Sequence, residues 1–437
     1  MYKLYFRQAW QLMERNRFFS TVYIIGTGLA ISMVMVMAVV YHIRTANIAP
    51  EVHRDRMCYL NGLSYVQSNM SRSSYSYGLR TIKECIYPMT TPEAVAIKVD
   101  PLPLRYIIGD SYARLQGGDI SPKVNLMATD DGFWQIFRYR FLAGKPFDKA
   151  AVSSSLSRVV VNEKTARMLF GKTDVVNETI LLNDVEYSVC GVVADVSAVT
   201  PDAYADVWVP YSSLPALSEL SSIEQRASIG PFSVCILLRN PGDMKAFRDE
   251  WQRQIKQYNT MLVDGQLEGT EPLLYFQNML YSLFMQDWKK TFFMLLIILL
   301  LFLLVPALNL SGLNTFHIHD RIPELGVRRA FGARKGTLLM QLLTENLLLM
   351  LPGGFAGLLF SYLLVWLLRG LLLGSFVTMM LSGGTMDMSL SLPMLINMQV
   401  FGYAFMICLV LNLLSSIVPA FRALQVSITD ALTNTAN

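Results

Sequence analysis

Charge is scarce in this chain. Only 16% of its 437 residues are Asp, Glu, Lys or Arg, while 53% are hydrophobic; an ordinary soluble domain carries roughly a quarter charged. So few charges cannot cover so much apolar surface, which excludes a wholly water-soluble fold. The same apolar excess excludes intrinsic disorder. A net charge of +4 is too small to argue for a nucleic-acid partner. Five cysteines make neither a dense disulfide framework nor a zinc signature. Gly-x-Ser-x-Gly, His-Glu-x-x-His and Cys-x-x-Cys do not occur. The closest approach to a phosphate-binding loop is Gly171-Lys172-Thr173, and Ala166 stands where its first glycine belongs. His317, His319 and Asp320 have no further metal ligand nearby. No catalytic residue, metal or bound cofactor is therefore expected.

What the chain does have is long apolar runs. A bilayer core of about 30 Å needs roughly 20 apolar helical residues. Four uncharged stretches qualify: Phe18 to Tyr41, Thr291 to Gly312, Leu347 to Leu368 and Asn397 to Phe421. The first is too long for the apolar core of a cleaved signal and reads as a retained anchor. Lys3, Arg7, Arg15 and Arg17 precede span one, and Arg321, Arg328, Arg329, Arg334 and Lys335 lie between spans two and three. Positive charge marks the cytoplasmic side, so both termini are expected inside and the long segment after span one outside. The expected organisation is a cytoplasmic amphipathic helix (1–17), span one (18–41), an external α+β domain with a helical stalk (42–289) and span two (290–313). A cytoplasmic segment (314–343), span three (344–369), a short external loop (370–396), span four (397–421) and a tail (422–437) follow.

The external segment alternates two signals. β-Branched runs bounded by turn residues stand at Arg158, Thr179, Tyr187, Asp206 and Phe232. Met244, Phe247, Trp251, Ile255 and Tyr258 recur at helical spacing, and Glu163 to Phe170 reads as a short helix stopped by Gly171. Cys58 and Cys85 are one possible disulfide pair; Cys190 and Cys235 sit on apparent strands and read as core residues. Leu273 to Lys290 and the residues after Tyr41 are expected to extend spans two and one outward as a stalk.

The leader places Tyr2, Tyr5, Phe6, Ala9, Trp10 and Met13 on one helical face and its charges on the other, as in a helix lying along a membrane surface. The segment from Asn309 to Glu345 has a denser grammar. Pro323 suits a first helical turn. Glu324 lies toward the positive helix end and Arg328 and Arg329 toward the negative one, before Gly332. This is either a short capped helix that docks on a cytoplasmic partner or a plain positively charged loop. Glu345 at the edge of span three has Arg334 or Lys335 as a partner at headgroup level. In span three, Gly353, Gly357 and Ser361 form a small-residue stripe suited to close helix packing, either on a second chain or on this one.

Arg321-Ile-Pro-Glu-Leu-Gly-Val-Arg-Arg-Ala-Phe-Gly-Ala closely resembles the R-x-x-E-[IL]-G-[IV]-[RK]-[RK]-A-x-G-A signature of MacB/FtsX-type ABC permeases. Four looser matches accompany it. They are Phe133-Trp-Gln-Ile-Phe through Gly144-Lys-Pro-Phe, Val159-Val-Val-Asn-Glu through Leu169-Phe-Gly, Gly191-Val-Val-Ala-Asp-Val, and Pro419-Ala-Phe-Arg-Ala with Asp430-Ala-Leu.

The resemblance implies a multi-pass protein of the bacterial inner membrane. Two permease chains, alike or different, would pair there on two ATP-binding subunits. Glu324, Gly326, Arg328, Arg329, Gly332 and Ala333 would form the contact with the ATPase, which is expected to be a separate polypeptide. ATP would bind that partner and not this chain. The implied work is mechanical, delivered to the external domain to drive export of an antibiotic, peptide or similar amphiphile. A periplasmic adaptor and outer-membrane duct are further partners the resemblance allows. Activation of an envelope partner such as a cell-wall hydrolase, or lipoprotein release, are the alternatives.

Overall fold

In the computed structural model the described residues are 17–66, 72–118, 120–222, 228–262, 265–284, 287–301, 304, 322–373 and 398–425. The leader face at Tyr2 to Met13, the later half of span two, His317, His319, Asp320 and Arg321, nearly all of the loop 370–396, the Glu345 side chain and the Asp430-Ala-Leu motif lie outside them. The chain divides into two units: 45–291 with 375–389, and the remainder.

The external unit is α+β. Its sixteen described strands are β1 (Met57–Leu60), β2 (Leu63–Val66), β3 (Arg72–Tyr77), β4 (Pro92–Val99), β5 (Ser111–Arg114), β6 (Lys123–Val124), β7 (Leu126–Thr129), β8 (Phe141–Gly144), β9 (Arg158–Asn162), β10 (Thr179–Leu182), β11 (Val185–Val193), β12 (Val207–Pro210), β13 (Ile229–Gly230), β14 (Ser233–Leu238), β15 (Gln266–Gly269) and β16 (Leu273–Leu274). Twelve form one mixed sheet in the order β16-β1-β14-β4-β7-β12-β9-β11-β10-β5-β6, with β8 on β11; β13-β3-β2-β15 form a second. The β9–β11 and β7–β12 pairs are parallel and their neighbours antiparallel.

Both faces of the large sheet are covered, which is why its central strands read as unbroken apolar runs. In β9, Val159 and Val161 face a cluster that holds Ala166, Leu169 and Trp251, while Val160 faces a second cluster around Phe133, Phe137 and Trp208. The second cluster is built of rings: Trp134 meets Phe133, Tyr139, Phe147 and Trp208 with centroids 5.3–6.2 Å apart.

Helix ends follow local chemistry. The Asn162 side chain accepts from the Thr165 amide at 2.8 Å and starts Glu163–Phe170, and Gly171, in the left-handed region at φ 71°, ends it. The helix Met244–Asn259 buries Met244, Phe247, Trp251, Ile255 and Tyr258. It also carries Glu250, whose carboxylate accepts from the Thr90 and Thr91 amides.

Two expectations change. Cys58 and Cys85 are free and lie buried in the same apolar cluster, so they are core residues and not a disulfide. Burial pushes the Cys85 thiol up to about 12, which keeps it protonated and inert. The stretch from Leu273 is not one continuous helix. It starts as β16 on β1, because Leu273 and Leu274 find strand partners in Tyr59 and Cys58, and only then turns into the helix Tyr275–Phe284.

In the second unit, the helix Arg17–Thr45 carries span one four residues past Tyr41. Three described helices are long and apolar enough to cross a membrane, over Ile24–Thr45, Met350–Leu368 and Gln399–Ala423. Residues 288–301 are also helical. The third span belongs to a single 39-residue helix, Lys335–Leu373, with Pro352 inside it.

Candidate functional site

The charged segment before that long helix folds as a helix. Ile322–Ala330 has Glu324 in its first turn and Arg328 and Arg329 in its last. The Phe331 amide donates to Val327, and Gly332, at φ +90°, adopts the left-handed conformation that breaks the helix. The segment is therefore a short helix and not a loop.

The short helix is fastened on one face. Leu325 is buried with Leu338 and Leu342 of the long helix and with Ala420 and Leu424 at the end of the last one. Arg328 donates through one nitrogen to Glu324 at 2.6 Å and through another to Gln341 at 2.7 Å. Arg329 donates to the Leu424 carbonyl at 3.1 Å. Two arginines thus tie the short helix to the ends of two apolar helices. A groove of about 230 Å³ lined by Lys335, Gly336, Leu339, Phe421, Leu424 and Gln425 opens beside them.

The six residues carried over from the permease signature separate by role. Glu324 and Gly332 are exposed, Gly326 is buried, and Ala333 packs against the apolar cluster. Arg328 and Arg329 are engaged within the chain. The sequence reading missed Phe331, which is 88% exposed and stands between the helix end and Gly332. Val327 and Met340 are exposed with it. A ring this exposed has the size and position of an interface anchor.

The Gly353–Gly357–Ser361 stripe is occupied within the chain. A Cβ on Gly353 would stand 2.4 Å from Thr27 Oγ1, and one on Gly357 would stand 2.7 Å from the Gly28 carbonyl. Ser361 is buried, and its hydroxyl donates to Leu358. The two glycines bring the long helix onto the chain's own first helix. The adjacent Gly354 receives Phe405 of the last helix.

The external sequence motifs have structural uses. Asp130 accepts from the Phe133 amide and from Ile97, which starts the turn that buries Phe133 and Phe137. Gly144 and Gly191 lie where β8 meets β11, and a Cβ on Gly144 would stand 2.2 Å from the Cys190 carbonyl. Asp195 accepts from the Lys164 amide in the turn after β9. No cluster of metal-ligating side chains occurs among the described residues.

Residues 20–254 match the MacB-like periplasmic core domain and residues 296–428 the FtsX-like permease C-terminal domain. The chain belongs to the MacB/FtsX-type permease family. Among curated relatives, the pyoverdine export ATP-binding/permease protein PvdT of Pseudomonas savastanoi pv. phaseolicola is 23% identical over 352 residues, covering 80% of this chain and 50% of that protein. Macrolide export ATP-binding/permease protein MacB 1 of Aeromonas hydrophila is 30% identical over 239 residues, 53% of this chain and 34% of that protein. The chain thus spans about half the length, or less, of these relatives. The solved periplasmic region of MacB from Actinobacillus actinomycetemcomitans aligns at 14% identity and a TM-score of 0.33, over 49% of this chain and 89% of that one. In MacB/FtsX-type terms, the first family domain takes in most of the external sheets and the second takes in the short charged helix and the two apolar helices that anchor it.

Proposed function

We propose that this chain is the membrane subunit of an ATP-driven complex of the bacterial inner membrane, with both termini and the helix Ile322–Ala330 in the cytoplasm. An ATP-binding partner docks on that helix, and its closure displaces the apolar helices so that the external domain changes shape. The cargo is an antibiotic, peptide or similar amphiphile, a reading supported by relatives named for pyoverdine export and macrolide export. The complex contains a second permease chain. ATP is bound by the ATP-binding partner.

One observation carries the reading. A short helix is tied by Arg328 and Arg329 to the ends of two long apolar helices, while Phe331 and Glu324 project from it. Such a handle converts a push on its exposed side into movement of the helices behind it.

The test is affinity purification of the tagged full chain from its native membranes. A nucleotide-hydrolysing subunit should copurify with the wild type and be reduced at least about tenfold by Phe331→Asp or Glu324→Lys, as expected for loss of a central anchor. Arg328→Gln should weaken coupling by loosening the handle while leaving docking largely in place. Retention of the partner by both surface variants would overturn the assignment.

A further inference from the structure

The external domain contains a charge cluster that the docking reading does not use. Glu51 and Arg54 are an ion pair with both side chains fully buried, Arg54 Nε standing 2.7 Å from Glu51 Oε2. Their remaining bonds reach four separate places. Arg54 Nη1 donates to the Ala46 carbonyl, one residue beyond the end of the first helix, at 3.0 Å. Arg54 Nη2 donates to the Val199 carbonyl at 3.0 Å. The guanidinium lies over the Tyr275 ring, 4.9 Å from its centroid, and the Tyr275 hydroxyl donates to Glu51 Oε2 at 3.3 Å. Glu51 Oε1 accepts from the Asp202 and Ala203 amides.

Asp202 then carries the network inward. Its carboxylate accepts from Tyr59 of β1 at 2.8 Å and from Lys98 of β4 at 2.9 Å. Lys98 is itself buried and bonds Asp100 as well. Ala46 and Tyr275 are the significant ends. Ala46 is where the chain enters the external domain after the first helix, and Tyr275 begins the helix Tyr275–Phe284 shortly before the chain leaves it. A buried ion pair is a poor stabiliser, since apolar replacements of similar size are often as stable. What it supplies is geometry, because each bond fixes one partner in one orientation.

We propose that Glu51 and Arg54 form a clasp that makes the entering segment at Ala46 and the exiting helix at Tyr275 move as one body, and that passes their displacement through Asp202 to β1 and β4. Both are positioning residues. The use of the clasp in relaying ATP-driven movement rests on the permease reading above. The clasp itself does not, and its test needs no nucleotide.

The experiment compares the full chain in lipid nanodiscs with the Glu51→Leu/Arg54→Met double variant, which substitutes apolar side chains of similar size. Nitroxides at Ala49 and Asn278 report the spread of distances between the two segments. The double variant takes these partners from the Asp202 amide and the Val199 carbonyl, so it should melt below the parent while remaining folded at about 25 °C. Below its melting transition its distance distribution should be about twice as broad, whereas a loss of stability alone leaves the folded width unchanged. An unchanged distribution in the folded double variant would overturn the proposal. If the double variant does not fold, Glu51→Gln decides. It keeps Oε1 as an acceptor for the two amides but removes the charge facing Arg54, so broadening supports the clasp and an unchanged width removes it.

Discussion

The two units bury their interiors by opposite means. The external domain fills space with large side chains: Trp208, Phe133, Phe137 and Trp134 interlock on one face of a sheet whose other face turns Val159 and Val161 into the cluster that holds Trp251. The membrane unit removes side chains instead. Gly28, Gly353 and Gly357 let one helix backbone approach another, and Gly354 admits Phe405. Its bulky residues point outward: Leu351, Phe355, Leu359 and Leu363 recur every four residues on the exposed side. The difference follows from the solvent. Water drives large apolar groups inward, whereas lipid is as apolar as leucine and leaves close packing as the main attraction between helices.

That contrast can be broken in two directions. Trp208→Ala should be the most damaging, because it empties the centre of the ring cluster at a cost of about 3–5 kcal/mol. Hydrogen exchange on the full chain should then rise across β7, β9 and β12 while the glycine-packed helices hold. Gly357→Leu should cost less, about 1–3 kcal/mol, because overpacked helices can separate. Its signature is loss of crosslinking between cysteines introduced at Val34 and Leu358, which share one apolar cluster, with the external sheets undisturbed. If large-to-small changes damaged both units equally, the contrast would fail.

The smallest effect sharpens the picture of the external core. Burial pushes the Asp130 carboxyl up to about 7, against the pull of hydrogen bonds from Tyr87, Ile97 and Phe133. The folded state therefore holds this proton to higher pH than the unfolded chain, whose Asp titrates near 4. Stability is fully present below about pH 4 and declines as pH rises toward 7 on account of this group, by on the order of 1 kcal/mol per pH unit at most. Asp130→Asn keeps an oxygen for the two backbone amides and removes the titration. Its melting temperature should vary less than the parent's between pH 5 and 7, measured by differential scanning fluorimetry.

The sequence carried more of the local structure than of the long-range structure. Helices at Glu163–Phe170 and Met244–Asn259 were readable because a cap, a stop and a periodic face lie within a few residues of each other. So were β9, β10, β11, β12 and β14, whose runs are β-branched. The early strands were not. Met57–Leu60 and Leu63–Val66 are four residues each, and Arg72–Tyr77 is polar. The Glu51–Arg54 cluster was hidden for a different reason. Its partners Asp202 and Tyr275 lie 151 and 224 residues away, and no local pattern announces a bond of that span. Phe331 was passed over because an aromatic within a helical apolar pattern is ordinarily assigned to the buried side. Its position next to Gly332, past the last turn, was the available sign that it is not.

One feature of the membrane unit sets a scale. The helix Lys335–Leu373 has 39 residues, about 58 Å at 1.5 Å per residue, nearly twice the thickness of a hydrocarbon layer of about 30 Å. It begins four residues after Phe331, so that ring stands at the foot of a spar longer than the lipid is deep. Pro352 is the weak point of that spar, since proline offers no amide to the carbonyl one turn before it. In the proposed relay, where the spar flexes would set how much of a displacement at its foot reaches its far end.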